Sequence, residues 1–303
     1  MPWKADGERG LEYLLRSCRW PSTSRAQPRE MMDNSAREAP GRGGGGAPIR
    51  IVSSEDPGSG GAETALRIRG VRKAFGRAEV LRGVDLDLGR GEFLGLAGVN
   101  GAGKTTLVKC LLDFCAVDAG SIEIHGTSHR EPRSRTRLAF LPERFVPPYY
   151  LTGRGYLGYM ARLSSTRWSR QEADTMLGDL DFDARALDRP VRTYSKGMTQ
   201  KLGLAAAFLE RRDLYVLDEP MSGLDPRARA CVKKLLARLR ERGASLLFTS
   251  HSLADVEEVC DRMAILHGGV RYFAGTPRAL CEHYGEPSVE HAFLKCIAGP
   301  VND

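Results

Sequence analysis

Apolar residues along this chain fall into two kinds of pattern, and their order predicts the fold. Short continuous apolar runs recur at Phe93-Leu94-Gly95-Leu96-Ala97, Leu138–Leu141, Leu214–Leu217, Leu246–Thr249 and Met263–Leu266. Such runs are the mark of strands buried on both faces. Between them lie stretches of helical period, including Thr106–Leu112 with one apolar stripe and Leu202, Leu204, Ala205, Phe208 and Leu209. Strands alternating with helices predict an α/β fold with a mostly parallel sheet flanked by helices. Leu66–Arg69 and Val84–Leu88 instead alternate with period 2, as half-buried strands do. From Gly153 to Arg192 the strand pattern disappears. There Tyr156, Leu157, Tyr159, Met160 and Leu163 are spaced as one face of an amphipathic helix.

The first 64 residues are different in kind. They are rich in Pro, Arg, Ser and Gly, with the tract Gly41-Arg42-Gly43-Gly44-Gly45-Gly46, and too poor in apolar side chains to offset the entropy of ordering. Residues 1–64 are therefore expected to be a disordered extension, 65–285 the folded domain with a helical subdomain at about 146–193, and 286–303 a tail. The longest apolar stretch, Leu204–Leu209, is far below the roughly 20 residues of a membrane span. Seven dispersed cysteines without a C-x-x-C pair read as reduced thiols. Residues 1–64 hold as many Lys and Arg as Asp and Glu, so the net charge of +7 sits on the folded part. That surface suits anionic ligands or is simply a solvated basic face.

The chemistry is concentrated in Gly98-Val99-Asn100-Gly101-Ala102-Gly103-Lys104-Thr105-Thr106, a full G-x-x-x-x-G-K-[ST] loop between a predicted strand and a predicted helix. Glycines let backbone N–H groups converge on a polyphosphate, and the helix N-terminus adds its dipole. Lys104 would reach the β- and γ-phosphates and the Thr105 hydroxyl would hold Mg²⁺. A second motif is the run Leu214–Leu217 ending in Asp218-Glu219. An acid at the carboxyl end of a parallel strand beside the loop lies where metal and γ-phosphate meet. Asp218 is the candidate metal ligand, and Glu219 the candidate for polarising the attacking water.

Together these motifs resemble the ATP-binding cassette family over roughly residues 66–285. Tyr194-Ser195-Lys196-Gly197-Met198-Thr199-Gln200 stands at the family's signature, Ser222-Gly223-Leu224-Asp225 at its dimer-contact loop, His251 at its switch histidine and Phe75 at the aromatic that stacks on adenine. The resemblance implies a phosphate-loop NTPase-type fold with a small antiparallel β subdomain and a helical subdomain. It also implies head-to-tail pairing, with a second copy or a related cassette, in which Ser195 to Met198 bind the γ-phosphate held by the opposite protomer. Two positions depart from the common pattern. Glu143 replaces the usual glutamine, where a carboxylate can still bind Mg²⁺, and Lys196 and Met198 replace a glycine and a glutamine. Leu-Pro-Glu with Tyr-Ser-Lys-Gly-Met looks like the branch of separate ATPase subunits of exporters. The implied function is ATP hydrolysis driving a separate transmembrane permease, with the subunit cytoplasmic and peripheral on the inner face of the cell membrane. The alternative is a non-transport cassette ATPase acting on nucleic acid, ribosomes or cluster assembly. No specific nucleic acid is expected, given one phosphate loop and no heptad run between Lys104 and Asp218.

Overall fold

A computed structural model describes residues 52–53, 63–164 and 166–298. Among the described residues the strands are β1 (Val52–Ser53), β2 (Thr64–Phe75), β3 (Ala78–Gly89), β4 (Phe93–Ala97), β5 (Ala119–Ile124), β6 (Thr127–Ser128), β7 (Leu138–Leu141), β8 (Leu214–Asp218), β9 (Ser245–Thr249), β10 (Arg262–His267) and β11 (Val270–Gly275). The helices are α1 (Lys104–Leu111), α2 (Gly153–Leu163), α3 (Arg170–Asp179), α4 (Lys196–Leu209), α5 (Pro226–Glu241), α6 (Leu253–Val259), α7 (Pro277–Tyr284) and α8 (Val289–Ile297).

The strands form a seven-stranded sheet in the order β1-β11-β10-β4-β9-β8-β7 and a four-stranded sheet in the order β3-β2-β5-β6. The five apolar runs read from the sequence are β7, β8, β9, β4 and β10, which pair parallel side by side. Every residue of β4, β8 and β9 is buried. The two-residue period of a strand divides them between two cores. Leu94, Leu96, Val216 and Leu247 join Leu107, Val108 and Leu111 of α1 and the apolar faces of β2, β3 and β5. Phe93, Ala97, Tyr215, Leu217 and Phe248 pack instead with side chains of α4, α5 and α6. The second sheet is antiparallel throughout, as the resemblance implied.

The helical stretch holds α2 and α3, each opened by a side-chain cap: Thr152 Oγ1 accepts from Gly155 N, and Ser169 and Glu172 form a capping box. Its buried residues Tyr156, Leu157, Leu177 and Leu180 belong to the same cluster as α4 to α6. Leu163, placed on the apolar face by its spacing, is 63% exposed at the last position of α2. The segment after 285, read as a tail, contains α8. Its Val289, Ala292 and Cys296 are buried in the main cluster, so the apolar core extends past the expected boundary. Two residues of the expected disordered extension, Val52 and Ser53, pair in parallel with Phe273 and Ala274 of β11. Thr64, the last residue of that extension, opens β2 and pairs with Gly89, and Glu63 O accepts from Arg90 N, while residues 1–51 and 54–62 lie outside the described residues.

Candidate nucleotide site

The phosphate loop leaves β4 at Ala97 and enters α1 at Lys104, as the motif requires. Gly103 takes φ of +107°, and a Cβ there would lie 2.9 Å from Leu81 Cδ2 and 3.0 Å from the Val80 carbonyl oxygen. Glycine is thus needed both for backbone conformation and for the close approach of β3. Lys104 is buried, and its Nζ donates to Gly98 O at 2.6 Å and Val99 O at 3.2 Å. Burial pulls its pKa below the usual lysine value, opposed by the carboxylates of Glu219, Asp218 and Glu143.

Those carboxylates share a cavity of about 550 Å³ with the loop. It is lined by residues 100–106, Val80, Glu143, Asp218, Glu219 and His251. Asp218 ends β8 and is 2% exposed. Burial raises its pKa above the ordinary carboxylate value, while hydrogen bonds from Thr249 and Thr105 and the charge of Lys104 oppose that rise. Glu219 follows in a left-handed conformation, φ 49°, where a side chain is strained and which recurs at functional turns. Its Oε2 lies 2.8 Å from His251 Nδ1. Burial raises the Glu219 pKa as well, against the pull of His251 and Lys104. A carboxylate less willing to stay ionised is a stronger proton acceptor, as a base for water must be.

The remaining expected residues stand elsewhere. Gly98 and Val99 contribute carbonyls to Lys104 rather than cavity wall. Phe75 is 53% exposed at the end of β2 and does not line the cavity, although Val80 of the same hairpin does. Ser195 caps α4, its Oγ accepting from Met198 N at 3.2 Å, and lies outside the cavity of its own chain. Lys196 Nζ donates to Ser222 Oγ at 2.9 Å, and a Cβ on Gly197 would lie 3.1 Å from Gly223 O. The signature segment therefore packs on the segment Ser222-Gly223-Leu224-Asp225, whose Asp225 caps α5 by accepting from Ala228 N.

Sequence reasoning missed Thr249 as a site residue, and it named Gln200 within the signature segment without a role. Thr249 is fully buried; its Oγ1 donates to Asp218 Oδ1 at 2.5 Å and accepts from Glu219 N at 3.0 Å. Its only signal in the sequence was a hydroxyl ending an apolar strand. Gln200, 3% exposed, donates from Nε2 to Pro220 O at 3.0 Å, tying α4 to the residue after Glu219.

A metal ion fits this donor set. Thr105 hydrogen-bonds Asp218, and Glu143 faces the same cavity, so hard oxygen donors converge beside the loop. Among the described residues no group of three His, Cys, Asp or Glu forms a metal cage by itself.

A glycine-cradled lysine at a helix N-terminus, facing buried acids at the end of a parallel strand one removed in the sheet, defines a phosphate-loop nucleoside triphosphatase. Comparison with known proteins narrows the class. The family model described as ABC transporter matches residues 81–222. The chain is 35% identical over 231 residues to the Nod factor export ATP-binding protein I of Rhizobium sp. (strain N33), covering 74% of each protein. It is 34% identical over 233 residues to the daunorubicin resistance ATP-binding protein DrrA3 of Streptomyces coeruleorubidus, covering 76% of this chain and 73% of that one. An uncharacterised ABC transporter ATP-binding protein of Synechocystis sp. is 37% identical over 203 residues, a match that spans 66% of this chain and 57% of that protein's length. A solved structure, an ATP-binding subunit of an ABC transporter, superposes with a TM-score of 0.70 at 30% identity, over 77% of this chain and 99% of that one. The chain belongs to the ABC transporter family, as an ATP-binding protein and ATPase.

Proposed function

We propose that this chain is the ATP-hydrolysing subunit of a two-component exporter. ATP sits with its triphosphate in the loop Gly98–Thr106, where backbone N–H groups and Lys104 hold the β- and γ-phosphates. Thr105 and Asp218, with Glu143 as a further oxygen donor, would hold Mg²⁺, which would supply charge neutralisation at the transferring phosphoryl group. Glu219 orients and deprotonates the attacking water. His251, in contact with Glu219, fixes that carboxylate and reaches toward the γ-phosphate. Phe75, with its ring half exposed at the hairpin tip, stacks on the base.

Ser195, Lys196, Gly197 and Met198 close the nucleotide of a second cassette. Ser195 and Lys196 are exposed at the N-terminus of α4, outside their own cavity, which supports that reading. Two cassettes, identical or related, would bind two ATP molecules head to tail, with Ser222 to Asp225 at their contact. Closure follows ATP binding and reopening follows hydrolysis.

The observation that carries the transport reading is the position of Glu143. It lines the nucleotide cavity and also a second cavity of about 560 Å³, walled by Phe145, Val146, Tyr149, Val191 and Tyr194. Val146 and Tyr149 are more than half exposed there, an apolar surface of the kind that marks a protein contact. Among the described residues no helix is long and apolar enough to cross a membrane. A separate permease would dock a cytoplasmic segment in this groove, place the subunit on the inner face of the membrane and feel the nucleotide through Glu143. The relatives named for Nod factor export and daunorubicin resistance support export as the direction. Co-purification in detergent tests the proposal: an integral membrane protein should be retained with this chain. Recovery without one under every nucleotide condition would overturn it.

A further inference from the structure

We infer that Asp118 is a positioning residue for the nucleotide base, acting through the strand end that presents Phe75. The inference rests on Phe75 being the base platform, as proposed above. The observation behind it is a three-point clip. Asp118 N donates to Arg72 O at 3.0 Å, Asp118 Oδ2 accepts from Ala74 N at 2.6 Å, and Asp118 Oδ1 accepts from Lys73 Nζ at 2.8 Å. One residue thus holds three consecutive positions immediately before Phe75.

The location explains why such a clip is needed. Phe75 pairs with Ala78 at the tip of the β2–β3 hairpin, and Val80 farther along β3 lines the nucleotide cavity. The tip therefore stands at the cavity's rim. Support from the third strand ends early, because the β2–β5 ladder runs only as far as the Arg72–Ala119 pair. A two-stranded tip without further support is marginally stable in water. Asp118 is the next residue beyond that last pair, and its carboxylate continues the ladder with a side chain in place of a backbone carbonyl.

The clip also sets the charge beside the ring. Lys73 Nζ lies 5.4 Å from the Phe75 ring centroid, within cation–π range, and Lys73 is largely buried while the ring is not. The hydrogen bond between them lowers the Asp118 pKa and raises that of Lys73, so both remain ionised across the physiological range. Lys73 is thereby held beside the ring, which keeps free surface for a base.

The test compares ATP with inorganic triphosphate, which has no base, on the full-length chain. ATP affinity and steady-state kinetics are measured for wild type, Phe75→Ala, Asp118→Asn and Asp118→Ala, with triphosphate as competitor. Asp118→Ala should raise KM for ATP about five- to tenfold, approaching the loss of a base–aromatic stack in Phe75→Ala. Asp118→Asn keeps an acceptor for Ala74 N and should fall between. Triphosphate inhibition and kcat should stay within about twofold of wild type, and Asp118→Ala should add nothing to Phe75→Ala. Equal weakening of ATP and triphosphate would reduce Asp118 to a fold-stabilising role and overturn the inference. Wild-type KM in both Asp118 variants beside a weakened Phe75→Ala would overturn it too, while leaving the base platform standing. Unchanged ATP affinity in Phe75→Ala would remove the platform itself, and the inference with it.

Discussion

The Thr249 hydroxyl sits between the two acids of the site: it donates to Asp218 Oδ1 at 2.5 Å and accepts from Glu219 N at 3.0 Å. The strand register makes this possible, since Asp218 and Thr249 are paired residues of β8 and β9. Thr249→Val keeps the shape and removes both side-chain bonds, leaving Asp218 with Thr105 and Glu219 N with the Thr249 carbonyl oxygen at 3.2 Å. The bond lost to the carboxylate is worth about 1.5–3 kcal/mol. We expect thermal unfolding to shift down by several degrees and kcat to drop about tenfold or more, with ATP affinity changed less. A variant with wild-type kcat would show that Asp218 and Glu219 do not depend on this hydroxyl.

Lys104 and Glu219 should separate binding from chemistry. Lys104 is anchored on the loop carbonyls at the phosphate position, so Lys104→Ala removes the charge that clamps ATP. Its ATP affinity should fall by at least about tenfold, one charge-assisted contact being worth that much. Glu219→Gln keeps the shape of the group and its contact with His251 but cannot take a proton. Hydrolysis should slow about 10²- to 10⁴-fold while ATP binding persists and an ATP-bound dimer accumulates. Nucleotide titration and size-exclusion chromatography with ATP distinguish the two. Equal loss of ATP affinity in both variants would mean that Glu219 is not the water-activating group.

How much of this was legible in the sequence depends on what each feature answers to. β4, β8 and β9 were readable because burial on both faces makes the run itself apolar. β5 was not: Ala119, Gly120 and Ser121 are exposed, and only Ile122 and Ile124 reach the core, so the pattern is too short to see. β1 is two residues long and exists through its pairing with β11. The phosphate loop and the pair Asp218-Glu219 were legible as motifs, since their chemistry needs fixed residue types at short spacing, whereas His251 came only through the family resemblance. Thr249, Gln200 and Asp118 act across 31, 20 and 44 residues of sequence to reach Asp218, Pro220 and Ala74. Contacts of that span depend on sheet register and helix packing, which no local pattern carries. Leu163 misled for a similar reason. Its spacing fits the buried face of α2, but the helix ends there and the side chain turns to solvent.

The buried acids should leave a mark on stability against pH. Glu219 is raised above its ordinary value of 4.5 by burial, with His251 and Lys104 opposing and Glu143 adding to the rise. The folded state then binds the Glu219 proton more tightly than the unfolded state. Stability must therefore fall as pH rises from 4.5 through the raised folded-state value and stay reduced above it. Asp218 works in the same direction. Glu219→Gln removes one of the two contributions. Its melting temperature should exceed that of wild type at neutral pH, with the difference shrinking as pH is lowered through the window. A difference independent of pH would show that ionised Glu219 carries no burial penalty.

Gly203 offers a test of the groove without touching the nucleotide. It lies in α4, where a Cβ would come within 2.7 Å of Leu141 Cδ1 and 2.8 Å of Phe145 Cδ1. Phe145 lines the groove and stacks edge-on against Tyr156 of α2, ring centroids 5.6 Å apart. Alanine would normally favour a helix interior by about 1 kcal/mol over glycine. Here overpacking opposes that gain by about 1–3 kcal/mol and must be relieved by moving Leu141 and Phe145. Gly203→Ala should therefore be neutral or slightly destabilising in thermal unfolding and leave ATP affinity unchanged, because Phe145 is not in the nucleotide cavity. Recovery of the membrane partner in detergent pull-downs should fall. Undiminished recovery, with a melting curve showing that the substitution was felt, would place the docking surface away from Phe145.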